Sequence, residues 1–192
     1  MATDRTTSRK QQILETLAHM LENPKREKIT TASLAAKLDV SEAALYRHFA
    51  NKAQMFEELI EFIEVSIFGV INKITKDETD GAKQLQLIVT MLLKFSEKNP
   101  GMTRVLIGDA LVNEDERLQT RMNQLHDRLE ASLRQSARLA ASAGTLHASL
   151  DANAYANAMM AYIVGRWHQF AKSGFKRTPT EMWAQQWPIF SG

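Results

Sequence analysis

The 192-residue sequence has no cysteine. This excludes disulfides, thiolate nucleophiles and Cys-ligated zinc, and it fits a reducing compartment, with the cytoplasm as the expected location. Long apolar runs are missing too. The longest, such as "LIVTMLL" at 87–93, fall far short of the roughly 18 residues a spanning helix needs, and the opening "MATDRTTSRKQQ" has no apolar stretch of a secretion signal. Nor does charge of one sign dominate: 24 Lys and Arg against 22 Asp and Glu leave a net charge of +2. The balance is uneven along the chain. Residues 1–52 hold nine basic against six acidic side chains, and the remainder fifteen against sixteen. A weak basic bias therefore marks the N-terminal end.

Proline (4) and glycine (8) are scarce and fall between segments of helical periodicity, so the chain reads as all-α with about nine helices. A first helix is expected over about 8–22, with Ile13, Leu14, Leu17, Met20 and Leu21 on one stripe, and "NPKREK" ends it. Two short helices follow within residues 30–49. Asn51 then caps a long fourth helix, with Gln54 in the capping-box position. Its apolar residues, from Met55 to Ile74, lie on more than one side, so it must touch two neighbours. This divides the chain into a small unit over 7–52 and a larger helical unit over 53–192, bridged by the fourth helix.

Further on, Asp80 is expected to cap a fifth helix stopped by Asn99, Pro100 and Gly101, and a short sixth runs over about 102–111. Asn113 is read as the cap of the seventh, with Glu116 as its capping-box partner. Leu118, Met122, Leu125, Leu129 and Leu133 give that helix a narrow seam of coiled-coil type, and "SAGTLHAS" breaks it. The eighth, over about 151–173, carries Ala154, Ala158, Ala161 and Gly165 along one side. A last segment starts at Thr180 and is bounded by Pro188.

The stretch "TTASLAAKLDVSEAALYRHFANK" (30–52) holds the chemistry. Leu34, Ala35 and Leu38 form the inner face of its first helix, Leu45 and Phe49 that of the second, and Val40 fills the corner. Asp39 stands where the chain must turn left-handed, a conformation Asp tolerates better than most residues. Thr30 and Thr31 are placed to cap the first helix and Ser41 the second, with Glu42 in the first turn. As a helix-turn-helix, the second helix would enter the DNA major groove with Glu42, Ala43 and Arg47 nearest base edges, while Tyr46, His48 and Lys52 reach phosphates. The bland alternative is a packed helical hairpin with a solvated tip. The order of leading helix, helix pair and long bridging helix favours DNA.

Two other readings are open. Methionines and aromatics of the C-terminal unit could line a pocket for a small apolar ligand that releases a repressor, although such stripes are more often core. Catalysis finds little support: there is no Gly-rich phosphate loop and no Ser/His/Asp order. His126 and Glu130 lie one turn apart and could share a metal, but such pairs are usually structural; His19, His147 and His168 are isolated. No cofactor, metal or catalytic residue is expected.

"ITTASLAAKLDVSEAALYRHFANKAQMF" resembles the N-terminal domain of TetR-type regulators, in which Tyr-x-His-Phe and a following Lys close the motif. "VSEAALYRHF", "LIEFIE", "KNPGMTRVLIGDAL", "RLQTRMNQLHDRLEASLRQ" and "FKRTPTEMWAQQWP", in that order, extend the resemblance to the nucleoid occlusion factors among them. The resemblance implies a TetR-like fold and a nucleoid-associated homodimer on palindromic chromosomal sites. It also implies capture of the tail of the tubulin-like division protein FtsZ in a groove along the fourth and fifth helices. By position the groove would involve Phe62, Ile63, Val70, Met91, Lys94, Lys98 and Asn99. Val70 stands where that family usually has Arg, Lys94 where a small Gly is usual, and Ala50 in place of a Pro. The dimer interface would be built by the eighth helix and the final segment: Ala154, Ala158, Ala161, Tyr162, Gly165, Trp183 and Trp187.

Overall fold

A computed structural model describes residues 2–23, 28–146 and 151–191. Among them the chain is entirely helical, as the periodicity predicts: α1 (Ala2–Met20), α2 (Thr31–Lys37), α3 (Glu42–Tyr46), α4 (Lys52–Asp77), α5 (Gly81–Lys98), α6 (Pro100–Leu106), a 3-10 turn (Asp109–Leu111), α7 (Glu116–Ala143), α8 (Ala152–Lys172) and α9 (Trp183–Ser191). Most of the "NPKREK" stretch that was to end α1, and His147 with its neighbours, lie outside the described residues. No described helix is long and apolar enough to cross a membrane.

Side-chain caps set most helix starts. Asn51 Oδ1 accepts from Gln54 N at 2.9 Å, Asp80 Oδ1 from Ala82 N at 2.8 Å, and Asp151 Oδ1 from Asn153 N and Ala154 N at 2.8 and 2.9 Å. Each satisfies an amide that the first helical turn leaves without a partner. The start of α7 differs from expectation. Asp115, not Asn113, is its cap and accepts from Arg117 N at 3.0 Å; Asn113 adopts φ 64° in the turn before it. Asn and Asp both favour left-handed turns and caps, and the fold uses Asn113 for the turn. The expected sixth helix is two pieces, α6 and the 3-10 turn, separated at Gly108 with φ 76°. Pro188 lies inside α9 and does not bound it.

α7 is the central strut. Its Leu118, Met122, Leu125, Leu129 and Leu133 are fully buried against α5 and α8. Trp167 of α8 is buried as well, its indole N–H donating to the Leu92 carbonyl at 3.3 Å. Ile67, Ile88, Leu92, Leu125, Leu129 and Trp167 have no exposed surface, so water-sized space is absent around each of them. The bundle interior is therefore closely packed around these side chains.

α4 meets α1, α5 and α7, as its two-sided pattern requires. Its Met55, Phe56, Leu59, Ile63, Ile67 and Ile71 are buried in one continuous core with Ile13, Leu17, Leu34, Leu45 and Phe49 of the N-terminal module. Arg121 of α7 donates to the Glu57 carbonyl at 3.1 Å and to Glu64 at 2.9 Å, and the Arg128 guanidinium lies 4.0 Å from the Phe68 ring centre. The module is seated on the bundle a second time through α6. Gly101 lets α6 approach α1 so closely that a Cβ there would fall on the Ala18 carbonyl. Arg104, nearly buried, donates to the Leu21 and Asn23 carbonyls at 3.0 and 3.2 Å and to Asp109 at 3.0 Å. Burial alone would raise the Asp109 carboxyl, but hydrogen bonds from Lys172 and Arg104 outweigh it and hold the pKa below the ordinary value.

Candidate nucleic-acid interface and partner groove

The helix pair forms as its sequence suggests. Leu34, Ala35, Leu45 and Phe49 are buried, Leu38 and Val40 half-buried, and Asp39 takes φ 53° between the helices. Thr30 is the cap of α2, in a reciprocal box: its hydroxyl accepts from Ser33 N, and Ser33 Oγ accepts from Thr30 N, both at 3.0 Å. Thr31 has a different task from capping. Its hydroxyl donates to Glu42 Oε2 at 2.5 Å and accepts from the Tyr46 hydroxyl at 3.4 Å, tying α2 to α3. Ser41 precedes α3 but makes no side-chain cap.

The outer face of α3 presents Glu42, Ala43, Tyr46 and Arg47 to solvent. His48 is half-buried, its Nδ1 turned inward without a hydrogen-bond partner. Lys52, expected at a phosphate, is instead paired with Glu114 of the loop before α7 at 2.5 Å. Ala50 has a use that a proline could not serve: its N–H donates to Gln54 Oε1 at 2.5 Å, so a hydrogen bond closes the turn where a ring would otherwise stiffen it.

Along α4 and α5 several of the residues expected in a partner groove lie at the surface. Phe62 is 51% exposed and Val70 42%, both large apolar side chains at the surface. Spacings of four, three and four put Leu87, Met91, Lys94 and Lys98 on one strip of α5; Leu87, Lys94 and Lys98 are exposed and Met91 half-buried. Leu87 belongs to this strip and escaped the sequence reading, although its place one turn before Met91 signals it. Phe62 also faces a recess of about 410 Å³ shared with Lys10 and Leu14 of α1 and Met102 of α6. Phe62 therefore borders the N-terminal module. Two assignments need correction. Ile63 has no exposed surface, because it continues the Ile67 and Ile71 stripe into the bundle core. Asn99 is half-buried and donates its amide to the Phe95 carbonyl at 2.7 Å, which makes it first a helix terminator.

On α8, Ala154, Ala158 and Ala161 are exposed, and a Cβ on Gly165 would meet nothing within 4 Å. The stripe is not buried against α7. Tyr162 is held within the chain, donating to Gln186 at 2.7 Å, and Trp183 is buried with its indole N–H on Thr90 at 2.7 Å. Trp183 is thus a core residue, whereas Trp187 stacks edge-on beside it, half-buried. His126 and Glu130 do not converge: His126 Nε2 meets the Leu106 carbonyl at 2.8 Å and Glu130 accepts from Asn157 at 3.3 Å.

A buried-faced helix pair with a polar outer helix, joined by one long helix to a packed bundle, defines a helix-turn-helix regulator. Residues 27–59 match the family described as bacterial regulatory proteins, tetR family, and residues 79–192 the SlmA-like group described as tetracyclin repressor-like, C-terminal domain. Among solved structures the fold resembles the TetR-family regulator PfmR of Thermus thermophilus, with TM-score 0.78 and 21% identity over 93% of this chain and 96% of that one. It also resembles the fatty acid degradation regulator FadR of Bacillus halodurans, with TM-score 0.78 and 15% identity over 95% and 94%.

The sequence likeness is narrower. The chain is 49% identical over 184 residues to the nucleoid occlusion factor SlmA of Alteromonas mediterranea, covering 96% of this chain and 94% of that protein. It is 44% identical over 188 residues to that of a Marinomonas species, covering 98% and 95%. The chain belongs to the SlmA family, within the TetR-type DNA-binding regulators, which are not enzymes.

Proposed function

We propose that this protein is a homodimer that binds palindromic chromosomal sites through its two helix-turn-helices and, on DNA, captures the FtsZ tail and antagonises FtsZ polymerisation, so that division is blocked over the nucleoid. The observation that carries the reading is the sharing of α4: its first turns bury Met55, Phe56 and Leu59, and further along it exposes Phe62, which faces a recess shared with Lys10 and Leu14 of α1, and Val70. An exposed apolar groove next to a packed bundle suits a protein segment better than a small ligand. Lys94 and Lys98 along α5 supply positive charge that Val70 does not. The two-fold mate would pack on the stripe of exposed Ala154, Ala158 and Ala161 with half-buried Gly165, where small residues permit close helix approach.

The test is FtsZ polymer sedimentation with this protein, with and without a duplex carrying a matched palindrome. Polymer should be lost from the pellet only when protein and palindrome are both present, and Phe62→Ala should restore it without weakening DNA binding. An unchanged pellet in the presence of the palindrome would leave a DNA-binding repressor and remove the FtsZ role.

A further inference from the structure

Charged side chains crowd the seam between the DNA-binding module and the bundle. Lys28, Lys52, Arg104, Asp109 and Glu114 line a recess of about 280 Å³ there, beside the Phe56 ring. Arg104 is committed to the Leu21 and Asn23 carbonyls, just past α1, and to Asp109. Lys52 is bound differently. It is the first residue of α4, five positions past Arg47, and its ammonium rests on Glu114 Oε1 at 2.5 Å with the Phe56 ring centre 5.6 Å away. The side chains are 21% and 12% exposed, so the pair is shielded but not sealed.

An ammonium at the exit of a reading head suits a DNA phosphate, and a carboxylate competes for the same charge. We propose that Glu114 is an internal stand-in for a backbone phosphate: it occupies Lys52 in the free protein, and DNA must displace it. Two consequences follow from the positions. Glu114 sets DNA affinity below what Lys52 alone would give. Binding also frees one of the ties between module and bundle, at the loop that joins the 3-10 turn to α7, so the bundle senses that the reading head is occupied. This inference rests on the DNA-binding role proposed above.

Fluorescence anisotropy of the full chain on a short random-sequence duplex, over a range of salt, tests it, because a phosphate contact is felt on any sequence. Glu114→Gln should bind about threefold to tenfold tighter at low salt, with the slope of log K against log salt steeper by about 0.9, one more phosphate neutralised. In a Lys52→Met background the same change should alter neither quantity. Equal gains in both backgrounds would show a general charge effect and overturn the proposal, as would an unchanged affinity and slope in Glu114→Gln. If Glu114→Gln does not fold, Glu114→Asp keeps the charge and shortens the reach: tighter, more salt-sensitive binding supports displacement, and no change overturns it. A wild-type chain that binds no duplex at any salt overturns the DNA-binding role and the inference together, whereas normal binding with a silent Glu114 overturns the inference alone.

Discussion

His126 couples the stability of the bundle to pH through one contact. Burial pushes its pKa below the ordinary 6.5, partly offset by the hydrogen bond to the Leu106 carbonyl at the end of α6. The folded chain therefore holds a neutral imidazole where the unfolded chain is ready to take up a proton. Its contribution is complete above pH 6.5 and declines as pH falls from there toward the lower folded value. Thermal unfolding followed between pH 7.5 and 5.5 should show this decline, and His126→Gln should flatten it. The reading head is equally specific. Thr30→Ala removes the cap of α2, a loss of about 1 kcal/mol, and should weaken binding to all duplexes alike. Arg47→Ala, at an exposed position on the outer helix, should also change which sites are preferred in a gel-shift series.

At the scale of elements, α8 carries the sharpest test. Ala158 sits in the middle of an exposed stripe of small side chains, so Ala158→Arg should leave the monomer fold intact and shift sedimentation at micromolar concentration from dimer to monomer. An unchanged dimer would place the two-fold contact elsewhere. Helix existence was legible because Asn51, Asp80 and Asp151 announce helix starts in the sequence and the heptad-like seam of α7 is uninterrupted. The cap of α7 was not, since Asn113 and Asp115 are both competent and only the turn geometry chooses between them. Transfer of site residues by position failed where it ignored the helix face: Ile63 shares the spacing of Ile67 and Ile71, and that spacing sends it inward. The resemblance puts Trp183 at the dimer interface, but a partner on another helix, Thr90, draws it into the core.

The whole molecule is held together by contacts between residues far apart in sequence, which no local pattern could reveal. Arg104 joins α6 to α1 across more than 80 positions, and Lys52 meets Glu114 across 62. Arg104→Met should lower stability by about 2–4 kcal/mol, since it removes the buried guanidinium that joins the Leu21 and Asn23 carbonyls to Asp109. Denaturant unfolding would measure that loss. Hydrogen exchange should show the largest rise in α1, because the carbonyls that Arg104 binds lie at its end. These ties make the helix pair and the bundle a single mechanical unit.

α4 gives that unit a fixed phase. It is an unbroken helix of 26 residues, about 39 Å at 1.5 Å per residue, with the helix pair before its first turn and Phe62 exposed further along it. On such a shaft each residue turns Phe62 by about 100° relative to the helix pair. The direction in which a segment captured as proposed would leave the DNA would thus follow from the number of residues between Lys52 and Phe62, and a single insertion there would swing it toward a different side of the duplex.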